Sequence, residues 1–287
     1  MSPRRVLHKE SFRGWTIPGP VPPGALGKGP EVEEGESLDS ISGHFRLFQL
    51  KKGHRFSTDD LLVAWYGSSW CAGAKTALDL GSGLGTVSSI VAWRMQGIRL
   101  TTVEAQDESF RLAKKSAKWN GLSDRIELRH GDFREEGVIR EDERFDLITG
   151  SPPYFPPGSG VEGDHPQKIA CRFEMRGDVL DYCRAGAGHL SPGGVLALVF
   201  PVNPVEQLER VREGARESGL SIVRMRSVVF REGEPALLGL FAMMRSVDLP
   251  EDFRDHCWVE PDLIIRDKEG KVHPEYAAVK LGIGFPP

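Results

Sequence analysis

Between residues 76 and 243 the chain alternates short apolar runs with stretches in which apolar residues recur every three or four positions. The runs 76–80, 98–103, 126–129, 145–149 and 195–200 have the length and content of buried strands, and 87–95, 110–119, 178–189 and 205–217 carry helical periodicity. Strands alternating with helices predict an α/β fold, a central and mostly parallel sheet covered by helices on both faces. Two late strands, near 222–230 and 237–243, have no helix between them, which predicts an antiparallel pair at one edge. Upstream, Phe45, Leu47, Phe48 and Leu50 alternate into Lys51-Lys52-Gly53-His54, a strand, a turn and a short extended return; Thr58-Asp59-Asp60 then caps a helix carrying Leu61, Leu62, Ala64 and Trp65. No repeat of fixed period is visible.

Residues 1–42 break this pattern. They are rich in Pro and Gly, with Arg4, Arg5, Lys9, Arg13 and Lys28 ahead of the acidic run Glu31, Glu33, Glu34, Glu36. Such a stretch predicts a flexible arm, either a solvated tail or a clamp for a phosphate backbone. The chain then divides into the arm 1–42, a main domain 43–245, and an extension 246–287 packing on that domain.

A chain of 287 residues accommodates this plan, and 39% hydrophobic with 27% charged residues excludes a disordered protein. No apolar run approaches the roughly 18 residues that cross a bilayer, and Met1-Ser2-Pro3-Arg4-Arg5 has no apolar stretch behind it, so no membrane association and a cytoplasmic location are expected. Cys71, Cys171, Cys183 and Cys257 lack the spacing of zinc or redox sites; they read as reduced thiols, and no metal is expected. A net charge of -4 gives no bulk attraction to nucleic acid, so any such contact needs a local patch.

Asp79-Leu80-Gly81-Ser82-Gly83-Leu84-Gly85-Thr86 falls where the first strand of the alternating region meets its helix. Glycines there let the backbone turn tightly and approach a ligand. The dinucleotide fingerprint would want glycine at Thr86, so the spacing departs from it. Glu104 ends the second strand about 20 residues on, where a carboxylate can accept from ribose hydroxyls. Gly131-Asp132-Phe133 closes the third, bringing another acid to the same crevice. Each feature alone is also an ordinary turn glycine or surface acid; jointly they predict a cofactor site.

This set resembles the Rossmann-like S-adenosylmethionine-dependent methyltransferases over the central two thirds of the chain. The resemblance implies S-adenosylmethionine as cofactor, with Asp79 toward the methionine part, Gly81, Ser82, Gly83 and Gly85 forming the turn, Glu104 and Ala105 at the ribose, and Asp132 and Phe133 near the adenine. After the fourth strand comes Gly150-Ser151-Pro152-Pro153-Tyr154-Phe155. Consecutive prolines fix φ and donate no N–H, holding their carbonyls rigidly at the end of the sheet. The stretch is similar to the proline motif of amino-methyltransferases that modify adenine N6, cytosine N4, guanine N2 or glutamine amides. By that likeness Ser151 and the Pro152 carbonyl bind an exocyclic amine, Pro153 stiffens the corner, and Tyr154 stacks on the base, with direct transfer from the sulfonium.

Arg55-Phe56-Ser57-Thr58-Asp59-Asp60-Leu61-Leu62-Val63-Ala64-Trp65, the strand before it, and the tail Pro261-Asp262-Leu263-Ile264-Ile265-Arg266-Asp267-Lys268-Glu269-Gly270 resemble bacterial adenine-N6 methyltransferases of a valine tRNA. This implies tRNA as partner and adenine N6 as target. That family has Asn where this chain has Ser151, a residue commoner among cytosine-N4 enzymes; a hydroxyl can still accept an amine hydrogen. A protein glutamine amide, or a non-catalytic RNA-binding scaffold, are the other readings. Phe155, Lys168 and Arg172 are candidate substrate contacts, with Lys51, Lys52, Arg55 and His165 as further phosphate contacts, although surface solvation explains any one of these cations equally well. The stretch 156–163 is either a loop that orders over substrate or a long turn.

Overall fold

Residues 195–200 are all buried, with Val195, Ala197 and Val199 in one apolar core and Leu196, Leu198 and Phe200 in another. A strand that buries both faces belongs to the middle of a sheet with a layer on either side. A computed structural model describes residues 11–12, 14–156, 158 and 165–286 and contains that sheet.

In chain order the elements are β1 Ser11–Phe12, β2 Trp15–Thr16, β3 Glu36–Ser42, β4 Phe45–Leu50, α1 Thr58–Trp70, β5 Thr76–Leu80, α2 Thr86–Arg94, β6 Arg99–Glu104 and α3 Asp107–Trp119. There follow β7 Ile126–His130, β8 Phe145–Gly150, α4 Pro166–Arg172, α5 Val179–His189, β9 Leu190–Pro201, α6 Val205–Glu217, β10 Leu220–Val229, β11 Leu238–Arg245, β12 Trp258–Ile264 and α7 Pro274–Gly282. The main sheet has eight strands in the order β12-β10-β11-β9-β8-β5-β6-β7, and β11 alone runs against the others. This is the mixed, mostly parallel α/β sheet that the alternation predicts. The β10–β11 pair is antiparallel as expected, but it is not the edge: β12, unexpected from the sequence, pairs with β10 and extends the sheet one strand beyond.

Helices α1, α2, α3 and α7 contribute to the core on one face, and α5 and α6 to that on the other. From β5 the chain steps to β6 and β7 on one side and returns to β8 on the other. In open α/β sheets ligands bind at such a reversal, outside the carboxyl ends of the strands. Register aligns those ends: Leu80 pairs with Val103 on one side and Gly150 on the other, and Glu104 with His130. The residues that follow therefore emerge side by side.

The expected flexible arm does not run to residue 42. Residues 36–42 form β3, whose partner is β4, so the strand predicted at Phe45 pairs backward rather than with the return after Gly53. Glu36 is buried, and Lys115 and Arg111 of α3 reach it at 2.7 and 2.8 Å. Asn120 accepts from the Arg46 N–H at 2.9 Å and donates to its carbonyl at 2.8 Å, finishing the bonds of the β4 edge. A short turn at Pro23–Leu26 covers Trp119, where Gly24 lies so close that a Cβ would collide with the indole. The basic positions Arg4, Arg5 and Lys9, and Arg13, lie outside the described residues.

Candidate active site

The carboxyl ends of β5, β6 and β8, capped by the segment 51–60 and by α4, enclose a cavity of about 640 Å³. Gly81 and Gly83, which make its turn, have φ of +60° and +54°, the left-handed region that favours glycine. A Cβ on Gly81 would meet the Tyr182 hydroxyl beneath, whereas one on Gly83 would meet nothing within 4 Å. The turn is thus closed below and bare toward the cavity. Gly85 does not line the cavity; with φ +77° it is the cap at which α2 begins.

Asp79, Gly81, Ser82, Gly83, Glu104, Ala105, Asp132 and Phe133 all line the cavity, as expected, and so do Ser151, Pro152, Pro153, Tyr154, Phe155 and Lys168. The glycine turn and the proline corner therefore open into one space. Of the other cations proposed from sequence, Lys51 and Arg55 line it; Lys52 does not, and His165 instead caps α4 by accepting from the Gln167 N–H. Arg55 is held by Asp39 at 2.9 Å and Ser37 at 3.0 Å. The Arg172 side chain and, within 156–163, residues 157 and 159–163 lie outside the described residues.

The cavity is rich in carboxylates, each placed differently. Asp79 is 2% exposed; its Oδ1 accepts from Thr149 at 2.8 Å, while Oδ2, like the Ser82 hydroxyl, has no hydrogen-bond partner among the described residues. Desolvation pushes its pKa up to about 7, against the hydrogen bond from Thr149 and with repulsion from Asp60. Asp60 accepts from the Ser57 N–H at the start of α1 at 3.0 Å and is likewise raised to about 7 by burial. Glu104 accepts from the Gly83 N–H and the Gln106 N–H, both at 2.7 Å, so it braces the turn while retaining lone pairs. Burial raises its pKa also. Asp132 is at the rim, where Arg134 at 2.6 Å holds its pKa down.

Across the cavity, the Tyr154 hydroxyl donates to Asp59 Oδ2 at 2.5 Å and its ring meets Phe200 edge-on, centroids 5.6 Å apart. Phe155 is 39% exposed at the mouth, its ring 6.2 Å from that of Phe173. Gln167, buried, accepts from the His54 N–H at 2.8 Å and donates to Ser109 at 3.0 Å, tying α4 to the segment after β4.

An unpartnered buried carboxylate oxygen asks for a cation or a donor. A second carboxylate with spare lone pairs suits a diol, and a turn without side chains admits a flat or extended body. This donor set matches a ligand that carries positive charge, ribose hydroxyls and a ring, and it disfavours a polyphosphate.

Sequence reasoning missed several lining residues. Asp59 and Asp60 read only as helix-capping residues, although two adjacent acids where one suffices were a visible signal. Arg176, Tyr182 and Cys171 carried none, because their approach depends on how α4 and α5 fold back over the sheet; Gln106 follows Glu104 and Ala105 at the end of β6 and was passed over.

The family model for the methyltransferase small domain matches residues 60–207, just over half of the chain. A tRNA1(Val) (adenine(37)-N6)-methyltransferase of Tolumonas auensis is 27% identical over 238 residues, 82% of this chain and 92% of that protein. One of the same description from Dyadobacter fermentans is 28% identical over 200 residues, 70% of this chain and 78% of that one. Among solved structures, one described as a predicted O-methyltransferase from Agrobacterium tumefaciens covers 79% of this chain and 98% of its own with a TM-score of 0.59 at 18% identity. P. horikoshii TYW2 in complex with MeSAdo covers 74% and 71% with a TM-score of 0.50 at 12% identity. At these identities the structures speak for a shared Rossmann-like fold. With the family model over β5 to β9 and most of the site, and that fold around them, the chain belongs to the methyltransferase small domain family and is a methyltransferase.

Proposed function

We propose that this protein transfers a methyl group from S-adenosylmethionine to an exocyclic amine of a nucleobase, adenine N6 in tRNA. One observation carries the reading: the rigid Ser151-Pro152-Pro153-Tyr154 corner and the acid-flanked glycine turn line the same cavity. The printed descriptions of the curated relatives support the choice of base and RNA.

When bound, S-adenosylmethionine supplies an electrophilic methyl on a sulfonium. Asp79, with its open Oδ2, holds the positive end of the methionine part, and Glu104 takes the ribose hydroxyls with the lone pairs that Gly83 and Gln106 leave free. Asp132 and Phe133 border the adenine. Ser151 Oγ and the Pro152 carbonyl accept the two hydrogens of the target amine, aim its lone pair at the methyl and draw electron density toward nitrogen. Tyr154 and Phe155 offer ring faces to a base withdrawn from its stack. Lys51, Arg55, Lys168 and Arg176 are the cations available to phosphates around the mouth. Such a reaction belongs in the cytoplasm, where its substrate is.

The test is incubation of the protein with labelled S-adenosylmethionine and tRNA from cells lacking the corresponding methylation, followed by nucleoside mass spectrometry. The expected product is N6-methyladenosine. Label in cytosine, guanine or a protein glutamine would retain the chemistry and overturn the substrate; tight cofactor binding with no transfer to any amine would favour the scaffold.

A further inference from the structure

Helix α6 adds no residue to the lining of the cavity among the described residues, yet one of its side chains reaches the supports of the proline corner from behind. Arg210 Nη2 meets Glu174 Oε1 at 2.6 Å, and the Glu174 side chain is 9% exposed. The Glu174 N–H in turn donates to the Phe155 carbonyl at 2.9 Å, beside the bridge that pairs Phe155 with Phe173. The second arm of the same guanidinium, Nη1, donates to Gln207 Oε1 at 3.1 Å, and Gln207 Nε2 makes a long bond of 3.5 Å to the Tyr154 carbonyl. Its Cζ lies 5.5 Å from the centre of the Phe200 ring, which the Tyr154 ring meets edge-on. Asp178 is a more distant carboxylate, at 3.9 Å. One guanidinium is thus connected by Glu174, Gln207 and Phe200 to the two aromatic residues that end the corner. A planar fork suits this place, because it holds two acceptors in fixed directions while its face rests on a ring.

We propose that Arg210 is a positioning residue for methyl transfer: paired with Glu174, it fixes the backbone of Tyr154 and Phe155 from outside the cavity and so sets where the substrate base comes to rest. The inference rests on nucleobase methylation at this site and adds Arg210, Glu174 and Gln207 to it. Pro152 and Pro153 stiffen the corner on the side of β8. Beyond Tyr154 the chain leaves the sheet, and the Glu174 and Gln207 bonds anchor it there. In-line transfer tolerates little error in the place of the amine, since a displacement of about 1 Å can cost on the order of a hundredfold in rate. Support of the fold alone is separable from this task. Removing Arg210 strands a buried carboxylate, whereas replacing both partners by neutral side chains removes that penalty and leaves the backbone of Phe155 without its brace.

The test uses the full-length protein, with melting followed by circular dichroism, cofactor sites counted by calorimetric titration of S-adenosylmethionine, and kcat on the methyl-accepting tRNA expressed per cofactor site. R210M keeps an apolar stem against Phe200 and removes the fork, and R210M/E174Q removes both charges. R210M should melt below wild type and R210M/E174Q should recover most of that loss, while kcat per site stays about tenfold down in both. Cofactor affinity should remain within about twofold of wild type, because these side chains do not line the cavity. A double variant whose turnover returns to within about twofold of wild type together with its melting temperature would reduce the pair to support of the fold and overturn the proposal. A loss confined to cofactor affinity would overturn it too. Should neither Arg210 variant fold, E174A decides, since the Arg210 charge it leaves is 29% exposed and open to water; a fall in kcat per site beyond about twofold supports the brace, and a smaller one overturns it. A wild type that methylates no nucleobase overturns the functional reading instead, a different result from an active enzyme indifferent to R210M/E174Q.

Discussion

Asp79 and Asp60 carry the plainest consequence of burial at the scale of single residues. Both have pKa values lifted from 3.8 to about 7, chiefly by desolvation. In the free protein each takes up a proton as pH falls below 7, which favours the folded form; that contribution is full below about 4 and is lost as pH rises through 7. A cationic ligand reverses the preference, since it wants both groups ionised, and its binding releases protons. Affinity for S-adenosylmethionine should therefore tighten by close to tenfold between about pH 6 and 7.5 for one linked carboxylate. The neighbouring charges, Asp59, Glu104 and the Tyr154 hydroxyl on one side and Lys168 and Arg176 on the other, set the rest of the field. Calorimetry in buffers of different ionisation enthalpy reads the released protons directly. Affinity that is flat or weakens over this range would mean that the acids do not meet the ligand's positive charge.

At the scale of elements, the last part of the chain completes the sheet. Leu263, Ile265, Tyr276, Val279 and Ile283 are buried in the core that α1 and β11 share. At about 2 kcal/mol per buried side chain, they match most of the roughly 5–15 kcal/mol that holds a domain folded. Cutting the chain after Arg245 would also bare the β10 edge. Such a truncated protein should be insoluble or lack a cooperative melt by circular dichroism; a soluble fragment with an unchanged melting temperature would show that β12 and α7 are dispensable. The sequence announced these elements poorly, and the reasons are specific. β12 carries Pro261, which argues against a strand unless it lies at an edge, and most of its side chains are exposed, so no alternation marks it. β3 hides behind an acidic run whose one buried member, Glu36, is neutralised only by Lys115 and Arg111 from α3. By contrast β5, β6, β8 and β9 are largely buried strands at the middle of the sheet, and they were legible as strands, although β9 begins at Leu190 rather than near 195. The place of the Ser151-Pro152-Pro153-Tyr154 corner was legible too, because it follows a strand downstream of the glycine turn; the approach of Asp59 to Tyr154 depends on α1 meeting the end of β8 and was not.

For the whole molecule, a net charge of -4 means that the proposed RNA substrate would be held by a few local positions rather than by overall attraction. Four cations line the cavity entrance, Lys51, Arg55, Lys168 and Arg176. If these make the phosphate contacts, the logarithm of tRNA affinity should fall against the logarithm of salt concentration with a slope of about -3. Fluorescence anisotropy across a potassium chloride series measures this. A slope of about -6 or steeper would assign most of the binding to other basic positions, those of the first 13 residues foremost.

The carboxylates around the glycine turn bear on turnover as well. Under the proposed reaction the donor would lose its sulfonium charge with its methyl, in a cavity that Asp79, Asp60 and Glu104 line. Acids that welcomed the incoming donor then have less to hold on to. The spent cofactor would then be held less tightly than its precursor, and the carboxylates that favour binding of the one would favour its exchange for the other.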